Sequence, residues 1–474
     1  MSDNVALCVD LDGTLIHSDL LLESFLLLIK RNPLYLLLVP LWLLGGKARL
    51  KREIASRVTL DGAALPYTKP LVAWLREQKA AGRPLWLCTA SDERLAQAVA
   101  THLGIFDGVL ASNGQTNLSG RNKAAALVAK FGEKGFDYCG NEHVDLKVWP
   151  HARGAIVVNA SASLAAQAAR VTEVRGQYPF RAGGPKVVLK ALRVHQWAKN
   201  ALIFVPVAAA HLLGDVTVLG QAVLAFVAFS LCASSVYLLN DMLDLEADRQ
   251  HHSKCHRPFA AGTLGLLFGL LAAPLLLVAA LLISLCLLSA KFLLVLAAYY
   301  VVTLAYSFVL KRMVMVDVLT LAGLYTVRIV AGAAATGIAL SFWLLMFAVF
   351  IFLSLAIVKR YAELHVMKLQ GKLKAQGRGY QVEDLSLLQS LGASSGYLSI
   401  LVLALYLNTP DIARMYHHPK IVWLLVPIML YWISRIWMQT HRGNMHDDPL
   451  VYALKDRISL VTGAMAAVVL ALAV

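Results

Sequence analysis

Residues 5–15 read VALCVDLDGTL, and this stretch decides the class of the N-terminal third of the chain. Five apolar residues in succession, bounded by a turn signal, predict a short buried strand. Asp10 and Asp12 then fall just past its C-terminal end, where open α/β sheets collect their ligands. Two carboxylates at that spacing suit a division of labour. One attacks phosphorus and holds Mg²⁺, while the other protonates the leaving oxygen and later activates water.

Working outward, similar β-rich runs recur as RPLWLCTAS (83–91), FDGVLAS (106–112), FDYCGN (136–141) and GAIVVNAS (154–161). Helical stretches separate them, among them KPLVAWLREQKAAG (69–82) and NKAAALVAKFG (122–132). That alternation predicts a parallel α/β domain over residues 1–182. Of the six cysteines none forms a CxxC pair or a zinc spacing. Cys8, Cys88 and Cys139 instead end apolar runs, as small buried thiols do.

Beyond Gly183, Gly184 and Pro185 the composition changes. Over the 474 residues 58% are hydrophobic and only 15% charged, and the apolar residues crowd into the C-terminal part. About nine membrane spans are expected, at 198–213, 217–239, 263–287, 291–310, 317–337, 341–358, 393–409, 419–436 and 457–474. The domains are thus 1–182, a linker and interfacial segment at 183–197, and an all-α polytopic membrane domain at 198–474. The first ten residues carry no basic start and apolar stretch of a signal peptide, which predicts a cytoplasmic N-terminus.

With that end inside, the cytoplasmic loops hold Arg249, Lys254, Arg257, Lys311, Arg312, Lys359, Arg360, Lys368, Lys372, Lys374, Arg378, Arg442, Lys455 and Arg457. The opposite loops hold Lys291, Arg414 and Lys420. The bias agrees with the orientation and explains the net charge of +15 without a nucleic-acid partner. The expected location is the inner (plasma) membrane, with the active sites on the cytoplasmic side.

The VDLDGTL motif is followed in order by Thr89 after PLWLC, Lys123 in GRNKAAAL, and Gly140-Asn141-Glu142-His143-Val144-Asp145 after FDYC. Together these resemble the haloacid dehalogenase superfamily over the whole first domain. The resemblance implies Asp10 as nucleophile, Asp12 as acid/base, and Thr89 and Lys123 on the phosphoryl oxygens. Mg²⁺ is then expected at Asp10, Asp12, Asn141 and Asp145. Asn141 stands where most members carry an aspartate, which lowers the negative charge at the metal. Between the first two motifs, LLLESFLLLIKRNPLYLLLVPLWLLGG (20–46) occupies the place of the superfamily's helical cap, here about 20–60. Lys30, Arg31, Asn32 and Pro33 break it, so neither half spans a bilayer. Two readings stay open: a cap at the membrane interface, or one packed on the membrane helices.

In the membrane domain, YLLNDMLDLEADRQHHSKCHRPFAAG (237–262) ends an apolar helix with Asn240, Asp241, Asp244 and Asp248. Spacings of three and four predict that the three aspartates share one helical face, where a cation such as Mg²⁺ on a diphosphate relieves their repulsion. Arg249 and Arg257 are candidates for phosphate oxygens. This NDxxDxxxD pattern, with LRVHQWAKN (192–200) and HRPFAAG (256–262), resembles the UbiA superfamily of membrane prenyltransferases from about 187 to 474.

A second late aspartate motif, usual in the aromatic-acceptor members, is absent from the sequence. In its place stand KRYAEL (359–364), AYSFVLKR (305–312) with Asp317, YTVRIVAG (325–332) and DPLVYALKDR (448–457). These resemble the decaprenyl-phosphate phosphoribosyltransferase branch. That implies transfer of 5-phosphoribose from phosphoribosyl diphosphate to a polyprenyl phosphate, catalysed at Asp241, Asp244 and Asp248. Asn240, Lys199, Lys311, Arg328, Lys359, Arg360, Tyr361 and Glu363 are further candidates for substrate contact. An aromatic prenyltransferase with an independent phosphatase is the alternative, and a transporter with a regulatory domain a more distant one.

Overall fold

The structure, a computed structural model, describes residues 5–179, 183–251, 253–371, 378–445 and 448–473. Lys372, Lys374 and the side chain of Arg414, all used in the charge bias, lie outside the described residues.

The N-terminal domain is built on six parallel strands: β1 (Ala6–Val9), β2 (Leu85–Asp92), β3 (Gly108–Ser112), β4 (Phe136–Gly140), β5 (Gly154–Val158) and β6 (Glu173–Tyr178). Their order is β3-β2-β1-β4-β5-β6. All four residues of β1 are buried, as befits a central strand covered on both faces. Chain progression reverses between β1 and β4, so the residues that leave these two strands line the switch-point crevice. Asp10 leaves β1, and the 3₁₀ turn His143–Lys147 that carries Asp145 follows β4. Cys8, Cys88 and Cys139 are buried free thiols. The edge strand β6, EVRGQY, was not foreseen: its residues alternate between exposed and half-buried and carry charges, unlike the apolar runs of the inner strands.

The cap consists of α1 (Leu20–Arg31), a 3₁₀ turn at Pro33–Leu37, α2 (Val39–Leu44) and α3 (Lys47–Ala55). Asn32 ends α1 in extended backbone and caps the next turn by accepting from the Leu34 N–H at 3.0 Å, so the apolar run folds back in pieces.

Packing does not follow chain order. Met1–Leu192 and Tyr237–Ala273 form one compact unit, Arg193–Val236 and Pro274–Val474 another. Among the described residues seven helices are long and apolar enough to cross a membrane, or eight if Pro449–Lys455 and Arg457–Ala473, bent by 83°, count as one broken span. The segment expected as the first span, 198–213, takes a different form. It resolves into a 3₁₀ run, Val194–Phe204, and a short helix, Val205–Ala209, with Pro206 at its start. Its polar residues explain this, because Lys199 and Asn200 turn inward to make buried hydrogen bonds. Elsewhere in the second unit, Gly392 and Gly396 on Leu385–Leu407 admit Trp437 and Ile433 of Leu425–His441 to close contact.

Candidate functional site

At the switch point the chain makes a hydrogen-bonded relay. Lys123, buried at the start of the helix Arg121–Phe131, donates from Nζ to Asp10 Oδ1 at 2.8 Å and to the Tyr138 hydroxyl at 2.9 Å. The Tyr138 hydroxyl in turn donates to Asp145 Oδ1 at 2.9 Å, while Asp145 Oδ2 accepts from the backbone N–H groups of Asn141 and Glu142 at 2.9 and 3.0 Å. Asn141 Oδ1 accepts from the Thr14 hydroxyl at 2.9 Å. Gly13 makes this approach possible: at φ +72° a Cβ there would lie 2.1 Å from Asn141 Nδ2. Asp10, Asn141 and Asp145 are therefore linked through one hydrogen-bonded set.

Asp12 is placed differently from its neighbour. Its Oδ1 accepts from the Leu20 N–H at 2.8 Å, and Oδ2 accepts from Ser91 Oγ at 2.7 Å and from Thr89 Oγ1 at 3.4 Å. Both oxygens are thus engaged by protein donors, which hold the carboxyl in one orientation. Burial, then the charges of Asp19 and Asp10, pushes its carboxyl up to about 7. Asp10 is raised to about 6, chiefly by burial, with Lys123 working against the rise and Asp145 adding to it. Burial also works against the Lys123 ammonium, but Asp10 and Asp145 outweigh it and hold its pKa above the ordinary lysine value.

Three residues here were not singled out in the sequence. Ser91 holds Asp12, and its place two residues after Thr89 is the signal that could have found it. Tyr138 sits inside β4, where a tyrosine reads as core. Lys51, on α3, donates to the Ala90 carbonyl at 2.6 Å and to Asn117 Oδ1 at 2.9 Å, and feels the charge of Asp12. A lysine in a cap helix carries no mark of this role.

The acidic segment Tyr237–Ala273 belongs to the same unit. Its three aspartates do not share one helical face, because the long helix ends at Leu243 and a short one, Leu245–Gln250, begins after Asp244. Arg257 Nη1 donates to Asp241 Oδ1 at 2.9 Å and to Asp248 Oδ2 at 2.7 Å, so these two carboxylates converge on one cation. Burial raises the Asp248 carboxyl, with Arg257 opposing the rise. Asp244 pairs instead with Lys30 of α1 at 3.3 Å. Arg249, expected on phosphate, spends its guanidinium on Glu23 of α1 at 2.6 and 2.9 Å and on the carbonyls of Ala260 and Ala64. The Glu23 pair is buried, and burial without such a partner would be costly for either charge.

Among the described residues no three His, Cys, Asp or Glu side chains form a ready metal cluster. Two mixed oxygen sets nevertheless fit Mg²⁺. One is Asp10, Asp145 and Asn141. The other is Asp241 and Asp248, already gathered round a positive charge; next to Asp241 in the sequence is Asn240, whose buried Oδ1 has no hydrogen-bond partner among the described residues.

In the second unit Asp448 accepts from Lys199 Nζ at 2.7 Å, Lys359 Nζ at 3.1 Å and the Tyr325 hydroxyl at 2.9 Å. Two lysine side chains thus share one carboxylate. Asp448 was quoted in the sequence motif without a role. Arg328 Nε donates to Asn200 Oδ1 at 2.8 Å, and Asn200 Nδ2 donates to Ser230 Oγ at 2.9 Å. Arg360, expected on phosphate, is fully buried against Asp317 at 2.7 Å and also bonds Glu363, whose side chain stays 40% exposed. Tyr361 lies 3.2 Å from His441 Nδ1, and Lys311 sits in the 3₁₀ turn Leu310–Arg312.

An uncharacterised protein of Sinorhizobium fredii, y4nM, is 39% identical over 97% of this chain and 89% of its own length. Nodulation protein NoeC of Azorhizobium caulinodans is 36% identical over 57% of this chain and 88% of itself. Decaprenyl-phosphate phosphoribosyltransferase of Mycolicibacterium smegmatis is 33% identical over 58% of this chain and 90% of itself. Residues 201–461 match the UbiA prenyltransferase family, and with its apolar helices and acidic segment the chain belongs to that family of multi-pass membrane proteins.

Proposed function

We propose that the chain transfers 5-phosphoribose from phosphoribosyl diphosphate to a polyprenyl phosphate, and that its N-terminal domain then removes the 5-phosphate from the lipid-linked product. The observation that carries this reading is the convergence of Asp241 and Asp248 on the one guanidinium of Arg257. The likeness to the mycobacterial phosphoribosyltransferase supports the choice of donor. Fusion to a domain with a phosphomonoesterase constellation supports the second step.

Bound Mg²⁺ supplies Lewis acidity at the departing diphosphate and at the attacked phosphomonoester. Asp241 and Asp248, with Asn240, are the residues that would hold it at the first site, and Asp10, Asn141 and Asp145 at the second. In the transfer, an oxygen of the polyprenyl phosphate forms a bond to the anomeric carbon as the bond from that carbon to diphosphate breaks. Lys199 and Lys359, which share the Asp448 carboxylate, bind phosphate oxygens. In the hydrolysis Asp10 attacks phosphorus while Lys123 holds the phosphoryl group. Asp12 gives its proton to the leaving ribose oxygen, then takes one from the water that frees Asp10.

Mass spectrometry of the lipids made from labelled phosphoribosyl diphosphate and polyprenyl phosphate tests both steps. Asp241→Asn or Asp248→Asn is expected to abolish labelled lipid. Asp10→Asn is expected to accumulate the 5-phosphorylated lipid, where the unaltered protein releases the dephosphorylated one. A product profile unchanged by Asp10→Asn would assign the N-terminal domain to some other substrate.

A further inference from the structure

The cap exposes an apolar surface that the reaction does not use. Along Pro33–Leu37 and α2, Leu34, Leu37 and Leu44 are 68%, 74% and 85% exposed, and Leu36, Leu38, Leu41 and Leu43 are exposed with them. In this stretch Trp42 is buried, and Tyr35 and Val39 pack half-buried with it against Leu28 and Ile54. A patch of this kind on a folded domain marks something it binds.

Charge indicates what. From Ser24 to Arg52 there is no acidic residue, and Arg31, Lys47 and Arg49 stand exposed on either side of the leucines. A short apolar segment between solvent-facing cations is how a chain lies in a bilayer interface, with its leucines among the acyl chains and its cations at anionic headgroups. Crossing is ruled out by length: twelve residues, even as an ideal helix, reach roughly 18 Å, short of the ~30 Å hydrocarbon core.

Position agrees with this. Lys30, three residues before Pro33, pairs with Asp244, and Asp244 immediately follows the end of the apolar helix Val216–Leu243. The Glu23–Arg249 pair fixes α1 to the same segment. The exposed leucines therefore begin where a membrane-spanning helix ends.

We propose that residues 33–44 are seated in the lipid interface, and that the Asp10 site consequently takes phosphomonoesters borne by the bilayer in preference to dissolved ones. The second clause rests on the phosphatase reading above; the first does not.

The test is lipid quenching on the full chain. In a background with Cys255→Ser and Cys286→Ser, bimane is attached at Leu37→Cys or Leu44→Cys. The protein is placed in nanodiscs of phosphatidylcholine and phosphatidylglycerol with brominated acyl chains. Leu282→Cys, exposed on the span Leu266–Leu287, is the lipid-facing reference, and Glu133→Cys, exposed on the N-terminal domain, the water-facing one. Both cap positions are expected to be quenched at least about half as strongly as position 282, as interfacial depth requires. Emission matching position 133 overturns the proposal. So does blue-shifted emission without quenching, which would show the leucines covered by protein. Loss of phosphoribose transfer leaves this readout untouched, so failure of the chemical reading and failure of the surface are separable. For the second clause, Leu37→Glu combined with Leu44→Glu is expected to raise KM about tenfold for the bilayer-borne product. Hydrolysis of p-nitrophenyl phosphate should stay unchanged. Equal loss on both substrates would overturn the lipid preference.

Discussion

Asp12 carries the sharpest chemical expectation at the scale of single residues. Burial holds its carboxyl at about 7, so the protonated form survives to near neutrality and is lost as pH rises further. Hydrolysis of an alkyl phosphomonoester, which needs its leaving oxygen protonated, is expected to decline above pH 7. Hydrolysis of an aryl ester with a stable leaving anion should hold its rate to higher pH. Asp12→Asn is expected to cost the alkyl ester about 10²- to 10⁴-fold and the aryl ester much less. Parallel pH–rate profiles for the two substrates check this. Such residues were legible beforehand because a motif fixes spacing along one strand end. Residues whose role depends on what lies opposite were not: Arg249 and Arg360 look like phosphate ligands in sequence, yet each is drawn inward by a carboxylate far away in the chain.

Elements were legible where one period or one composition persisted. The inner strands and most long helices declared themselves through unbroken apolar runs. The charged edge strand β6 and the polar 3₁₀ run Val194–Phe204 did not, because tertiary bonds rather than local pattern decide their form. Gly392 illustrates how closely the second unit's helices depend on single positions, since a Cβ there would lie 2.2 Å from Trp437 Cζ2. Gly392→Ala is expected to destabilise by about 1–3 kcal/mol through overpacking. Gly463→Ala, with no neighbour within 4 Å, serves as the control and should leave the melting temperature in detergent unchanged or slightly higher.

Across the whole molecule, the charge bias predicts one orientation in the membrane. Trypsin added to inverted inner-membrane vesicles is expected to cut at Lys311–Arg312 and within the N-terminal domain, and to leave both intact when added to spheroplasts. The reverse pattern would place the acidic segment outside. The arrangement also bears on descent. A buried glutamate on α1 and a buried arginine on the acidic segment satisfy each other, so neither can drift alone without stranding its partner's charge. A foreign N-terminal domain grafted onto this chain would have to bring an acid to the place of Glu23. Through one pair of side chains, the first domain and the acidic segment can be exchanged only together.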